Sequence, residues 1–346
     1  MSEPVPRVSD SPLGGQDLGG QSASLVADPD ASDTDSALGE SVAGSSYSTS
    51  LASSVLNYQY ENGRRYHAYR QGSYVLPNDE QEQDRLDMLH HIFRMITGGP
   101  ILRAPLGDAR PRRVLDMGCG TGIWAIDCAD EFPDAIVIGT DLSPIQPSWV
   151  PPNCKFYVDD IEAEWTYPPV EHFDYIHGRA LLGSITYWKE LFSKTFNNLK
   201  PGGILEIQDF PSDIRSDDDT QSYVPYLTDW LEKLNDGLAR IGKPSRIVHL
   251  LKGYMEEVGF VDVHEEMYKV PLGPWAKGRK NKELGLFFLA HALDSVEAFT
   301  LALFTRELGY SIDEVQVTIA RTKNDLRNPR AHLYVPFYIV WGRKPG

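Results

Sequence analysis

Three aspartates at regular intervals carry the chemistry that can be read from this sequence. Asp116 opens the run Asp116-Met117-Gly118-Cys119-Gly120-Thr121-Gly122. Asp141 stands 19 residues beyond Gly122, and Asp160 follows a further apolar stretch. Glycines let a backbone turn tightly and let a ligand approach with no Cβ in the way. The spacing here is Gly-x-Gly-x-Gly, not the Gly-x-Gly-x-x-Gly of a dinucleotide loop, whose helix N-terminus receives a pyrophosphate. Asp116, two residues ahead of Gly118, would repel a pyrophosphate and suits an ammonium group. No Gly-Lys-Ser/Thr follows, which excludes a nucleoside-triphosphate loop.

An acid about 20 residues past such glycines can accept both ribose hydroxyls. Asp141, followed by Leu142, fills that place. Asp160 can take an adenine amino group while Ile161 packs on the ring. With Gly118, Cys119, Gly120 and Gly122, these residues describe a site for a nucleoside joined to a cationic amino acid, without phosphate. Each acid also has a purely structural reading: Asp116 as a helix cap, Asp141 in a turn, Asp160 solvated. Their order and spacing at strand ends favour the ligand.

The elements that must position these groups alternate. Residues 114–117, 135–140, 156–158, 173–176 and 204–208 read as short apolar strands. Helices are predicted over 124–131, stopped by Pro133, and over 187–199, before a Lys200-Pro201-Gly202-Gly203 turn. Alternating strands and helices imply a parallel sheet with helices on both faces. The glycine run falls at the carboxyl end of the first of these strands, where open α/β sheets bind ligands.

Ahead of this core, 58–76 is rich in tyrosine and arginine. Pro77-Asn78-Asp79 then opens a helix with Leu86, Leu89, Phe93 and Ile96 on one face, ended by Gly98-Gly99-Pro100. Beyond it, the spacing predicts helices over 223–241 and Val248–Val258 and a strand over 261–266. A long helical stretch over 283–308 follows, with a break near Asp294. Ser311-Ile312-Asp313-Glu314 fits a capping box for a helix reaching Leu326, and 332–341 reads as a last strand. The apolar stretch 284–304 is interrupted by His291, Asp294 and Glu297, so it reads as a buried helix and not a membrane span.

The chain has 346 residues and a formal charge of -16. That charge disfavours duplex binding and anionic membrane, whose affinity for proteins comes from Lys and Arg. Residues 1–54 hold 14 Ser and eight acids against the single base Arg7. Such a segment buries too little apolar surface to offset its ordering entropy, so it is expected to be a disordered acidic tail. Residues 55–346 are expected to form one domain. Within it, 58–100 is a lid and helix, 113–209 the cofactor-binding core, 210–330 a helical acceptor-side region and 331–346 the last strand. Three cysteines without metal-ligand spacing fit a reducing intracellular compartment, cytoplasmic or nuclear, and no signal peptide or metal is expected.

At Asp116–Gly122, Asp141, Asp160 and Leu199-Lys200-Pro201-Gly202-Gly203, the sequence resembles class I S-adenosylmethionine methyltransferases. A narrower resemblance, to the fungal LaeA-type (TAM-like) methyltransferases, covers nearly everything from Tyr58 onward. It is carried by Glu61-Asn62-Gly63-Arg64-Arg65-Tyr66-His67-Ala68-Tyr69 and by Leu76-Pro77-Asn78-Asp79-Glu80-Gln81-Glu82-Gln83-Asp84-Arg85-Leu86-Asp87. Gly122-Ile123-Trp124-Ala125-Ile126-Asp127 and Asp141-Leu142-Ser143-Pro144-Ile145-Gln146-Pro147 add to it. The resemblance implies a Rossmann-like, seven-strand, mostly parallel sheet with an antiparallel last strand and helical lid insertions. It also implies S-adenosyl-L-methionine as cofactor.

Family members divide between tailoring enzymes, which methylate small molecules or modified peptides in secondary metabolism, and nuclear regulators that act with velvet-type proteins. Phe173-Asp174-Tyr175-Ile176-His177-Gly178-Arg179 and the intact Lys200–Gly203 turn tilt the reading toward a tailoring enzyme. A velvet-binding regulator is the alternative. A nicotinamide dehydrogenase is disfavoured by the glycine spacing.

Methyl transfer needs an aligned nucleophile and exclusion of water, and a base where the acceptor is a hydroxyl or protonated amine. His177, after the fourth strand, should face the methyl donor and is the candidate for acid/base work or acceptor positioning. A structural histidine is the equal alternative. Arg179 could bind an acidic acceptor or pair with a surface carboxylate, and Tyr58–Tyr74 could fold over the cofactor as a lid. The helices over 223–241 and 284–308 are expected to wall the acceptor pocket, with Trp230, Trp275, Phe287 and Phe288 as lining or core. His90-His91 is expected to face solvent.

Overall fold

A computed structural model describes residues 57–70, 72, 74–106 and 110–346. The expected acidic tail, 1–54, lies outside the described residues. At the centre are the parallel strands β3 (Arg113–Met117), β4 (Ile136–Asp141), β5 (Cys154–Val158), β6 (Phe173–Arg179) and β7 (Leu199–Asp209). The order across the sheet is β5-β4-β3-β6-β7, followed by β10 (Leu333–Arg343) and then β9 (Val261–Pro271). β10 runs antiparallel to both β7 and β9, so it alone opposes the sheet direction. This is the predicted seven-strand sheet with an antiparallel last strand. A two-residue strand, β8 (Arg215–Ser216), adds to the end of β10. A separate hairpin, β1 (Gln59–Glu61) with β2 (Arg64–Tyr66), precedes the sheet.

Side chains on a strand alternate between faces, and the two cores follow that rule. Val114, Tyr175 and Ile204 join one cluster with Trp124 of α2 (Ile123–Glu131) and Phe93 of α1 (Glu80–Thr97). Their neighbours Leu115, Ile176 and Leu205 join the other, with α3 (Trp188–Asn198) and α5 (Val248–Val258). Burial on both faces is why these strands read as unbroken apolar runs.

The helices start where local chemistry dictates. Asp79 caps α1 through Glu82 N at 3.0 Å. Ser311 and Glu314 form the predicted capping box of α7 (Ile312–Leu326). α6 (Arg279–Arg306) is long and apolar enough to cross a membrane, yet half of its apolar window is buried against α1, α4 (Pro225–Arg240) and α7. The expected break near Asp294 is absent. α6 continues unbroken through this position, where the buried Ser295 turns its hydroxyl onto the His291 carbonyl at 2.7 Å.

The Lys200–Gly203 segment is not a turn ahead of a strand but an irregularity inside β7. The register jumps between Phe173/Leu199 and Tyr175/Ile204. The looped-out backbone is held by Lys344, whose carbonyl accepts from Gly202 N and whose N donates to Gly203 O. β9 runs five residues beyond its predicted end at Glu266, because it pairs with β10 along its whole length.

The chain changes direction across the sheet at β3: β4 lies on one side and β6 on the other. The carboxyl ends of these strands border the crevice that open α/β sheets use for ligands.

Candidate active site

The glycine run leaves β3 in left-handed backbone, with φ +63° at Gly118, +56° at Gly120 and +81° at Gly122. Two of the three glycines also make room. A Cβ on Gly122 would lie 2.4 Å from the Phe156 ring, and one on Gly118 would lie 2.7 Å from Leu181. The Phe156 ring also lies against Gly139 of β4, where a Cβ would be 2.6 Å away. Gly122 therefore serves packing on Phe156 and the start of α2, and it does not line the cavity.

Asp141 ends β4. Its Oδ2 accepts from Gly120 N at 2.8 Å and its Oδ1 from Ser143 N at 2.8 Å. One carboxylate thus locks the glycine loop to the loop after β4. Burial pushes its pKa up from 3.8 to about 6, against the pull of these backbone donors. Asn78, just ahead of α1, donates to Ser143 Oγ at 3.1 Å and so ties the N-terminal segment to the same loop. Asp160, after β5, accepts from Glu162 N at 2.9 Å and faces Arg70 at 3.5 Å.

These groups border one cavity. Of the nine residues expected to bind the cofactor, Gly118, Cys119, Gly120, Asp141, Leu142, Asp160 and Ile161 line it. Its far wall comes from Tyr74, Pro77 and the α1 residues Glu82, Leu86 and Leu89, and it reaches Arg179, Ser184 and Lys243. Of the aromatic segment 58–74 expected to form a lid, only Tyr74 lines this cavity among the described residues, and the rest of that wall comes from Pro77, Asn78 and one face of α1. The spacing of Glu82, Leu86 and Leu89 marks that face in the sequence; Lys243 carries no such signal.

α1 is anchored from behind by ion pairs. Arg85 holds Glu82 with Nε at 2.8 Å and Nη2 at 2.5 Å, and its Nη1 reaches His291 at 3.3 Å. Arg64 holds the capping Asp79 through Nε at 2.6 Å and Nη2 at 2.8 Å. The Glu61–Tyr69 run is therefore a brace for the start of α1.

His177 is not brought to the cavity. It sits inside β6, directly paired in register with Asp116 on β3, and its Nδ1 lies 2.8 Å from Asp116 Oδ1. The ring is fully buried and stacked on Trp124 at 3.7 Å, with 4° between the planes. Its Nε2 and Asp116 Oδ2 have no hydrogen-bond partner among the described residues. β6 continues to Arg179, two residues beyond His177 on the same face, so it is Arg179 that emerges at the strand end. Asp116 likewise lies under the cavity and not in its lining.

His90, expected in solvent, is buried and bridges Asp127 at 3.0 Å and Arg179 at 2.9 Å. His91 is the exposed member of the pair and meets Phe287 edge-on. The expected acceptor wall is also elsewhere. Trp230 is core and donates to Thr300 at 2.8 Å, Phe288 is core, and Trp275 lies against His332. None of the four aromatic candidates lines the cavity.

A loop-bound carboxylate at the end of β4, a glycine turn after β3 and an acid after β5 meet around one cavity at the switch point of the sheet. A methyltransferase-domain family model matches residues 88–265, just over half of the chain, and covers the sheet side of this cavity. The chain belongs to this methyltransferase family. Methyltransferase pytC of Aspergillus terreus is 39% identical over 86% of this chain and 91% of its own length. The secondary metabolism regulator laeA of Aspergillus flavus is 36% identical over 82% of this chain and 77% of its own. A methyltransferase from an antibiotic biosynthesis pathway of Anabaena variabilis superposes with a TM-score of 0.47 at 13% identity, over 75% of this chain and 99% of that one; a likeness of that degree adds nothing to the assignment.

Proposed function

We propose that this methyltransferase takes S-adenosyl-L-methionine in the cavity between the sheet and α1 and passes its methyl group to a small molecule or modified peptide in fungal secondary metabolism. The observation that carries the reading is the Asp141 carboxylate. It is fixed by two backbone N–H groups at the mouth of the glycine loop, where it can accept the ribose diol. Asp160 and Ile161 receive the adenine beside it. Gly118, Cys119 and Gly120 pass under the sulfonium end, and Asp116, one turn below, supplies negative charge for the ammonium group.

Leu86, Leu89 and Tyr74 close the cavity from the opposite side and exclude water from the sulfonium. An aromatic and a carboxylate near that cation, Tyr74 and Glu82, favour it electrostatically. The chemistry asked of the protein is alignment of the acceptor and exclusion of water. The protein works inside the cell, in cytoplasm or nucleus.

A second reading follows from the regulator among the relatives, nearly as similar as the enzyme: a cofactor-binding regulator that acts through protein partners of the velvet type. Deleting the gene and profiling metabolites by mass spectrometry separates the two. Loss of one compound and gain of its analogue lighter by one CH2 supports the tailoring enzyme. Silence of several unrelated product families, with no demethylated analogue, contradicts it and favours the regulator.

A further inference from the structure

Arg179 is the one arginine in the cavity wall, and its surroundings leave its charge unanswered. The guanidinium rests on the face of Phe93, 5.2 Å from the ring centroid, and Nη1 lies 2.9 Å from His90 Nδ1. Among the described residues no carboxylate comes within ion-pair distance of it. Arginine can only donate, so His90 Nδ1 must accept, and the ring proton sits on Nε2, directed at Asp127 Oδ2 at 3.0 Å. His90 is therefore a neutral strut that turns the guanidinium fork toward the cavity and keeps Asp127 away from it. Withdrawing a guanidinium partly from water onto an aromatic face without an ion-pair partner is unfavourable, and its planar fork of N–H groups is suited to a carboxylate.

The order of strands says which carboxylate. Asp160 follows β5, Asp141 ends β4, Gly118–Gly120 follow β3 and Arg179 ends β6, on four neighbouring strands. At about 4.8 Å per strand this row spans about 14 Å. A ligand with adenine at Asp160 and ribose at Asp141 runs its remaining arm past the glycines toward Arg179. We infer that Arg179 anchors the α-carboxylate of the methyl donor's amino-acid end, with His90 as the residue that positions it. This rests on the donor site proposed above.

The test uses the full chain and calorimetric titration with three probes: S-adenosylmethionine, its decarboxylated form, and 5′-methylthioadenosine, which keeps the nucleoside and lacks the amino acid. A charge-assisted carboxylate contact predicts that the wild-type protein binds the decarboxylated form about ten- to a hundredfold more weakly than the parent. Arg179→Gln should lose a similar factor for S-adenosylmethionine while its affinity for 5′-methylthioadenosine stays within about twofold. Equal wild-type affinity for the parent and decarboxylated donors overturns the inference, and needs no variant to fold. So does an Arg179→Gln protein that binds the parent normally, which would assign the guanidinium to an acceptor's acid. Absence of wild-type binding to all three probes would instead overturn the donor site itself.

Discussion

The imidazole of His177 lies flat on the indole of Trp124, with ring centroids 3.7 Å apart and planes 4° apart, while its Nδ1 meets Asp116 at 2.8 Å. That stack makes the histidine a fixed part of the floor beneath the glycine loop. His177→Ala strips the buried Asp116 of its one partner and opens a void on Trp124. The expected loss is about 3 kcal/mol or more in urea unfolding. A His177→Ala protein of wild-type stability with abolished methyl transfer would restore a catalytic histidine and refute this placement.

Asp141 imposes a pH dependence whose sign can be worked out. Its folded pKa of about 6 lies above the ordinary 3.8, so the ligand-free fold holds its proton more tightly than the unfolded chain. The stabilisation is fully present below pH 3.8 and is lost as pH rises through about 6, at most roughly 3 kcal/mol. Asp209, held by Leu181 N and Leu182 N and raised by burial to about 7, acts the same way one step higher. Thermal midpoints from pH 4 to 7 should fall less steeply in Asp141→Asn than in the wild type. Donor binding has the opposite trend: the ribose needs the ionised carboxylate, so affinity should weaken below pH 6.

The Arg85–Glu82 pair joins the cavity wall to the fold behind it, with both side chains almost fully buried. Removing either partner leaves the other charged and dry, so Glu82→Gln and Arg85→Met should each cost about 3–5 kcal/mol. The double replacement Glu82→Leu/Arg85→Met should recover most of that loss. Additive losses in this cycle would mean that the two side chains act independently.

Gly122 and Gly202 share a left-handed backbone, φ +81° and +79°, but differ in what surrounds them. A Cβ on Gly202 meets nothing within 4 Å, so Gly202→Ala should cost about 1–2 kcal/mol of backbone strain alone. Gly122→Ala adds a collision with the Phe156 ring and should cost several kcal/mol more, partly relieved in Gly122→Ala/Phe156→Leu. Equal losses for the two alanine variants would contradict the role given to Phe156.

Much of this was legible in the sequence because the relevant signals are local. The apolar runs before Gly118 and Asp141 mark strands buried on both faces, and the glycine spacing with the following acids marks the ligand end of the sheet. The Ser311–Glu314 box and the Asp79 cap are equally local. The facing of His177 is not legible because its strand runs three residues past the apolar stretch 173–176 that announces it, so the residue at the strand end is Arg179. His90 was misread because its burial is set by Asp127 and Arg179, distant in sequence. Trp230 on α4 and Phe288 on α6 pack into the core on the same face of the sheet as α1, and only the tertiary arrangement decides that α1 forms the cavity wall.

The central claim is that the cavity holds S-adenosyl-L-methionine with Asp141 on its ribose. It is tested most directly by calorimetric titration of the full chain and of Asp141→Ala with that ligand, with circular dichroism confirming that both are folded. Binding in the micromolar range by the intact protein, weakened about a hundredfold or more in the variant, is the predicted result. No binding by the folded wild-type protein, or equal affinity in the variant, would contradict it.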